Sequence, residues 1–259
     1  MKRSSGSILV FTDADCLLPP DALSLITQNF ADSEVALVTN CAAISNKDET
    51  AIVENEGLYW RYERWLRVEE SERRLLAMAS GSLFAMRREL WSELDPNVGD
   101  DFVLPLQVAR AGYRNILETR TSAETRLTQN QADTMLRMKM RIISKDFRGL
   151  LQNSACLNPF AVGRVAFSLW SHKLLRWFVP YFLIALFVSN VFLAIHRPYN
   201  IFLIAQMIFY GLSLTGVFIE IRRFPLSAVS SFCLVNLAAL LGTLHCITQR
   251  SAGQWKTVR

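Results

Sequence analysis

Residues Ile8–Asp15 read ILVFTDAD. The apolar, partly β-branched run Ile8–Thr12 has the pattern of a buried strand, expected at the centre of a sheet. It ends abruptly on Asp13 and Asp15, one residue apart. The carboxyl ends of strands in an open α/β sheet are where ligands bind. Two like charges held close are costly unless something positive neutralises them. A hard divalent cation that also bridges to substrate phosphates is the natural partner. The plainer alternative is an acidic turn ahead of the helix that Pro19-Pro20-Asp21 starts and Ala22–Phe30 continues.

Outward from this stretch, short apolar runs alternate with helical patterns. Val35–Thr39 is a second strand, Thr50–Leu76 a long Glu- and Arg-rich helix, and Ser80–Met86 a small-residue apolar stretch. Arg87–Leu94 has the pattern of another helix start, and Asn97-Val98-Gly99 that of a turn into the acidic pair Asp100-Asp101. Phe102–Ala111 is helical, Gly112 ends it as a C-cap, and Asn115–Glu118 is strand-like. The alternation implies an α/β layer structure. Tyr59, Trp60, Tyr62 and Trp65 on the long helix suit core packing better than stacking on a ligand's rings.

A helix start favours acids at Asp100 and Asp101 for purely electrostatic reasons. The functional reading is a carboxylate general base, within reach of the proton it removes. Thr134–Leu151 is a basic amphipathic segment, and its Arg137, Lys139, Arg141 and Lys145 face either a diphosphate or simply solvent and lipid. The chain carries no Ser-His-Asp set and no Gly-rich phosphate loop.

Of the 259 residues 51% are hydrophobic, unevenly placed. Trp177–Ile195, Tyr199–Ile219 and Phe224–Leu244 lack any Asp, Glu, Lys or Arg, and each approaches the ~20 apolar residues that cross a hydrocarbon core. Leu157–Trp170, apolar but interrupted by Arg164, is expected as an interfacial helix. Arg164, His172, Lys173 and Arg176 precede the first span, so the positive-inside tendency puts the soluble part on the cytosolic face, as in a bacterial inner membrane. The opening MKRSSGS leads to no secretory core. The net charge of +5 is that of juxtamembrane Arg and Lys and argues no nucleic-acid partner. The five cysteines have no CxxC spacing, so neither a zinc site nor a disulfide framework is expected.

In order, ILVFTDAD, SGSLFAMRREL, GDDFVLPLQVARAGYR, a basic segment and apolar spans resemble the membrane-bound family 2 glycosyltransferases. The resemblance runs from about Ile8 to the carboxyl terminus. It implies an inverting enzyme with a partial GT-A-type α/β catalytic domain over residues 1–150 and an interfacial segment over 151–175. About three transmembrane helices over 176–248 and a basic tail over 249–259 follow. It further implies that Asp13 and Asp15 hold Mg²⁺ or Mn²⁺ on the diphosphate of a nucleotide-sugar donor. Gly81 and Ser82 lie beside donor sugar and acceptor, and Asp101, with Asp100 before it, is the base that deprotonates a lipid or glycan acceptor. The family's processive members carry Gln-x-x-Arg-Trp where this chain has Met138–Ile142, so only Arg141 remains to meet the leaving diphosphate. The family reaches its DxD after a nucleotide-binding strand–helix–strand half, whereas seven residues precede Ile8 here. The expectation is therefore a glycosyltransferase that is truncated, with the competence of this chain alone left open, or alternatively a non-catalytic membrane scaffold or remnant of such an enzyme. A haloacid-dehalogenase-type phosphatase, the remaining rival, has Thr or Val where Cys16 stands and no place for the spans.

Overall fold

In the computed structural model, which describes residues 4–41, 43–44, 51–125, 132–218 and 225–248, the opening stretch forms strand β1 (Ile8–Phe11). After it come β2 (Cys16–Leu17), α1 (Ala22–Gln28), β3 (Val35–Asn40), β4 (Ala43–Ile44) and α2 (Ala51–Glu72). Next are β5 (Phe84–Arg87), α3 (Asp100–Arg110), β6 (Arg114–Glu118) and β7 (Glu124–Thr125). Two compact units make up the chain: Met1–Lys47, Arg61–Thr128 and Lys145–Lys173 form the first, and Asp48–Trp60, Gln129–Ser144 and Leu174–Arg259 the second.

The first unit is built on a four-stranded sheet of order β1-β5-β3-β6, with β2-β7-β4 as a small second sheet. β3 is buried at every position, as a strand covered on both faces must be. It runs parallel to β6 and antiparallel to β5, and β5 pairs antiparallel with β1. Side chains alternate faces along a strand. Phe84 and Met86 of β5 accordingly join Leu104 and Val108 of α3 on one face, while Ala85 joins Ala22 and Ile26 of α1 on the other. A register shift between Val35 and Leu37 marks a bulge, which puts the successive Ala36 and Leu37 into the same cluster.

Four expectations need correction. β1 lies at an edge of the described sheet, and its Val10 is 42% exposed. Its neighbour comes from SGSLFAMRREL, where Phe84–Arg87 is a strand and the helix start expected over Arg87–Leu94 is only a 3₁₀ turn, Arg88–Leu90. Tyr62 and Trp65, read as core, are 51% and 57% exposed; Tyr59 and Trp60 fall outside the described side chains. The single interfacial helix expected over Leu157–Trp170 is broken into a 3₁₀ turn, α5 (Pro159–Val162) and α6 (Val165–Ser168). These follow α4 (Ala132–Gln152). The break falls at Gly163, whose φ of +59° few other residues adopt.

In the second unit α7 (Leu175–Phe192), α8 (Tyr199–Phe218) and α9 (Leu226–Thr248) carry the apolar segments. Among the described residues, three helices, Val165–Phe192, Tyr199–Val217 and Leu226–Thr248, are long and apolar enough to cross a membrane. Polar side chains link them: Asn190 Nδ2 donates to Gln206 Oε1 at 2.8 Å, and Tyr181 Oη lies 2.7 Å from Thr243 Oγ1. Such pairs join helices where apolar contact alone gives no preference over lipid.

Candidate active site

The site is built where the end of β1 meets the turn before β5. Thr12 Oγ1 donates to the Ser82 carbonyl at 2.8 Å, and the Ser80 amide donates to Thr39 Oγ1 at 2.8 Å. This pins Ser80–Leu83 between β1 and β3. Ser82 is buried, its hydroxyl 2.7 Å from Ser80 Oγ and 3.2 Å from the Asn40 side-chain amide. Its side chain therefore serves the turn, and it is Gly81 that presents open backbone.

Proline in α3 ties the acidic pair to the same turn. Pro105 has no N–H to offer the carbonyl four residues back, that of Asp101. The Ala79 amide takes its place at 2.9 Å. Asp100 turns outward, and its Oδ1 accepts from the Asp101 amide at 3.0 Å. Asp101 turns inward. A Cβ on Gly81 would lie 3.2 Å from Asp13 Oδ2 and 3.6 Å from Asp101 Oδ2. The two carboxylates thus flank one spot that a side chain at position 81 would fill.

The other oxygen of Asp101 faces a residue that sequence reasoning passed over. A Cβ on Gly99 would lie 2.9 Å from Asp101 Oδ1 and 3.0 Å from Asp146 Oδ1. Asp146 is buried on α4, held against α3 where a Cβ on Gly149 would be 2.7 Å from Val103 Cγ2. Its Oδ2 is 3.4 Å from Lys173 Nζ, which also stands 5.8 Å over the Phe102 ring. Lys173 lies on a π-helical turn, Leu169–Leu174, a distortion that often marks functional positions. Glu70 secures that turn through Ser168 Oγ and His172 Nδ1. The overlooked signal was helical phase. Asp146, Phe147, Gly149 and Leu150 are all buried, and an acid on a helix's apolar face calls for an explanation.

Electrostatics separate the acids. Burial, then the negative charges of Asp146 and Asp100, push the Asp101 carboxyl up to about 7, with Lys173 pulling the other way. Burial likewise raises Asp146, against the opposing pull of Lys173. Asp13 and Asp15 are exposed, and with Cys16 they can bring ligand atoms within 4.8 Å of one another. Two carboxylates suit a hard cation completed by phosphate oxygens, whereas a thiol is a soft donor. The donor set therefore fits Mg²⁺ or Mn²⁺ through Asp13 and Asp15, with Cys16 as bystander. Arg141 lies on the portion of α4 assigned to the second unit.

Residues 1–141 match the family model described as Glycosyltransferase like family 2. Among solved structures, a mannosyltransferase, PcManGT, from Pyrobaculum calidifontis, in complex with GDP-Man and Mn²⁺, superposes with a TM-score of 0.64 at 21% identity. The match covers 94% of this chain and 64% of that one, so the chain spans under two thirds of its structural neighbour. At that identity the likeness is one of fold. No curated protein matches the chain.

Proposed function

Because the chain belongs to glycosyltransferase family 2, we propose that the protein carrying it moves a sugar, with inversion, from a nucleotide-sugar donor to a lipid or glycan acceptor at a membrane. The observation that carries this reading is the shared opening at Gly81, flanked by Asp13 on one side and Asp101 on the other. Inverting displacement at an anomeric carbon needs a base on the attacking side and neutralised charge on the leaving side.

Asp101 is the base. Its inward oxygen takes the proton of an acceptor hydroxyl as that oxygen bonds to the anomeric carbon. The carbon–oxygen bond to the diphosphate breaks, and the nucleoside diphosphate leaves with the electron pair. A base whose carboxyl sits near 7 is matched to work at neutral pH. Asp13 and Asp15 would hold a divalent cation, which would supply charge to offset that growing on the diphosphate. Gly81 lets the donor sugar approach the backbone, and Asp100 supports the start of α3. The soluble unit works on the cytosolic face.

GDP-mannose is the first donor to try, since the structural neighbour was solved with GDP-Man and Mn²⁺. Membranes containing the full protein, given this and other nucleotide sugars with Mn²⁺, should release nucleoside diphosphate and form a glycosylated product. Asp15→Ala should weaken the metal dependence, and Asp101→Asn should lower transfer by about 10²-fold or more while donor binding persists. Donor hydrolysis and transfer both unaffected by Asp101→Asn would refute the assignment of the base. A folded protein that binds no donor would be a membrane scaffold instead.

A further inference from the structure

At the opposite end of α3 from the carboxylates, the first unit has a cavity of about 330 Å³. Arg74, Arg110, Arg114 and Arg164 line it together with Tyr113, and among the described residues no acidic side chain does. α3 has 11 residues, so at ~1.5 Å rise per residue the cavity stands roughly 15 Å from Asp101 along the helix. It is a separate feature.

The four guanidinium groups are not equally satisfied. Arg74 pairs with Glu34 at 3.1 Å, and Arg114 stands 3.7 Å from Asp32 and 3.8 Å from Glu34. Arg110 and Arg164 form no ion pair among the described residues. Helix-end carbonyls favour a nearby cation, which accounts in part for Arg110 in the last turn of α3. They do not account for Arg164, which follows a helix of only four residues. Nor do they account for the backbone at Arg74.

Arg74, Gly112 and Gly163 are the described residues with left-handed backbone, and all three line this cavity. The two glycines adopt that conformation freely. Arg74, with φ of +60°, does so at a cost that a glycine at this position beyond α2 would not incur. The left-handed turn ends α2, with the Leu75 amide donating to the Glu70 carbonyl at 2.6 Å, and it brings Arg74 to the cavity wall.

In sequence the cavity wall adjoins the membrane-proximal segment. Ala161–Val165 form one wall, and Val165 begins the first span-length helix, Val165–Phe192. Phe160, Phe167 and Trp170 on the same segment are 99%, 66% and 47% exposed. Exposed aromatic side chains at the start of a span sit at headgroup level. Basic residues there attract anionic lipid.

We propose that this cavity is a binding site for the phosphate of an anionic phospholipid headgroup, with Arg110 and Arg164 supplying the charge and Arg74 and Arg114 framing the pocket. It differs from general attraction of basic residues to a membrane because it predicts retention of discrete lipid molecules, lost on changing two named side chains.

The test uses the full protein in detergent, mixed with phosphatidylglycerol or phosphatidylcholine and examined by native mass spectrometry. The protein should retain phosphatidylglycerol in preference to phosphatidylcholine, and the Arg110→Gln/Arg164→Gln variant should weaken that retention about tenfold or more. Because neither side chain makes an ion pair among the described residues, the variant should keep the parent's melting temperature. Arg61→Gln/Arg73→Gln, at exposed positions on α2 and just beyond its end, removes the same charge elsewhere and should retain the lipid. Equal loss in both variants, or no loss in the first, would overturn the site in favour of diffuse charge attraction. Inorganic phosphate should compete poorly; complete displacement at millimolar phosphate would overturn the lipid assignment in favour of a soluble phosphorylated ligand.

Discussion

Asp101 and Asp100 are neighbours in sequence with the same side chain, yet the fold gives them different chemistry. Asp100 has its carboxylate at the solvent edge of α3, while Asp101 is carried between Gly81 and Gly99 and meets Asp146. A base must be ionised to accept a proton. With the Asp101 carboxyl near 7, transfer should fall as pH drops through that value. Asp146→Asn removes a negative neighbour and leaves Lys173 closer to uncompensated, so the acid limb of the pH–rate profile should move to lower pH. Lys173→Met removes the charge that pulls the carboxyl down, so the limb should move higher. A profile unmoved by both substitutions would mean that another group limits the reaction. Asp101→Asn should lower transfer by about 10²-fold to 10⁴-fold, the range that loss of a positioned base produces. The same change should raise the melting temperature. A carboxyl with a folded pKa above its unfolded value of 3.8 weakens the fold as pH rises between the two, and asparagine lacks that dependence. The DxD and the acidic pair were legible at this scale because their residue types are conspicuous at a strand end and a helix start. Asp146 was not, because Lys145 and Arg148 around it suggested a basic, solvated helix.

Elements meet at fewer places than the sequence pattern suggests, and glycine decides one of them. α4 approaches α3 at Gly149, where a methyl group would stand 2.7 Å from Val103 Cγ2 and 3.2 Å from Phe102 Cδ1. Gly149→Ala should therefore destabilise the first unit by about 1–3 kcal/mol, despite alanine's better helix propensity. It should also reduce activity more than its stability loss accounts for, because the same contact holds Asp146 against Asp101. Thermal melts and rates below the transition separate the two effects. The end of β6 carries the opposite device. Glu118 accepts from Arg120 and from Asn29 Nδ2, and these contacts, Arg120 first, lower its carboxyl to about 2. A depressed acid strengthens the fold above its unfolded pKa, 4.5, and that contribution is lost as pH falls from there towards 2. Glu118→Gln should cost about 1–2 kcal/mol at neutral pH and flatten the acid limb of a stability curve. β3 and the Gly112 stop were legible because each is dictated locally, by a continuous apolar run and by a left-handed backbone angle. β5 was obscured because small residues and arginines surround its four positions, and strand order depends on pairing that no local pattern encodes.

For the whole molecule, the decision between buried core helices and membrane spans rests on which side of each helix is covered. In the three span-length helices only 22%, 11% and 33% of the most apolar window is buried within the protein. A core helix of similar hydropathy would be covered almost all round. Phe182, Phe192 and Ile204 are instead 59%, 79% and 59% exposed, and at roughly 25 cal/mol per Å² such surface does not remain in water. The protein should therefore stay with the membrane through alkaline carbonate extraction and enter solution only with detergent. Release by carbonate would leave at most surface attachment and overturn the spanning reading. Sidedness needs its own measurement, because span count alone leaves Arg250, Lys256 and Arg259 on the side the charge rule disfavours if all three helices cross. Two single-cysteine variants, one carrying Ser24→Cys in α1 of the soluble unit and one a cysteine at the carboxyl terminus, should settle the arrangement with an impermeant thiol reagent. Labelling at position 24 only after the inner face is exposed would place the catalytic unit in the cytosol, where nucleotide sugars are made. Labelling of the terminus on the same face as position 24 would mean that one of the three helices does not cross, and α8, with the least internal burial, would remain the surest span. Labelling of position 24 from outside would separate the site from its proposed donor and overturn the function, whatever the carboxylate geometry.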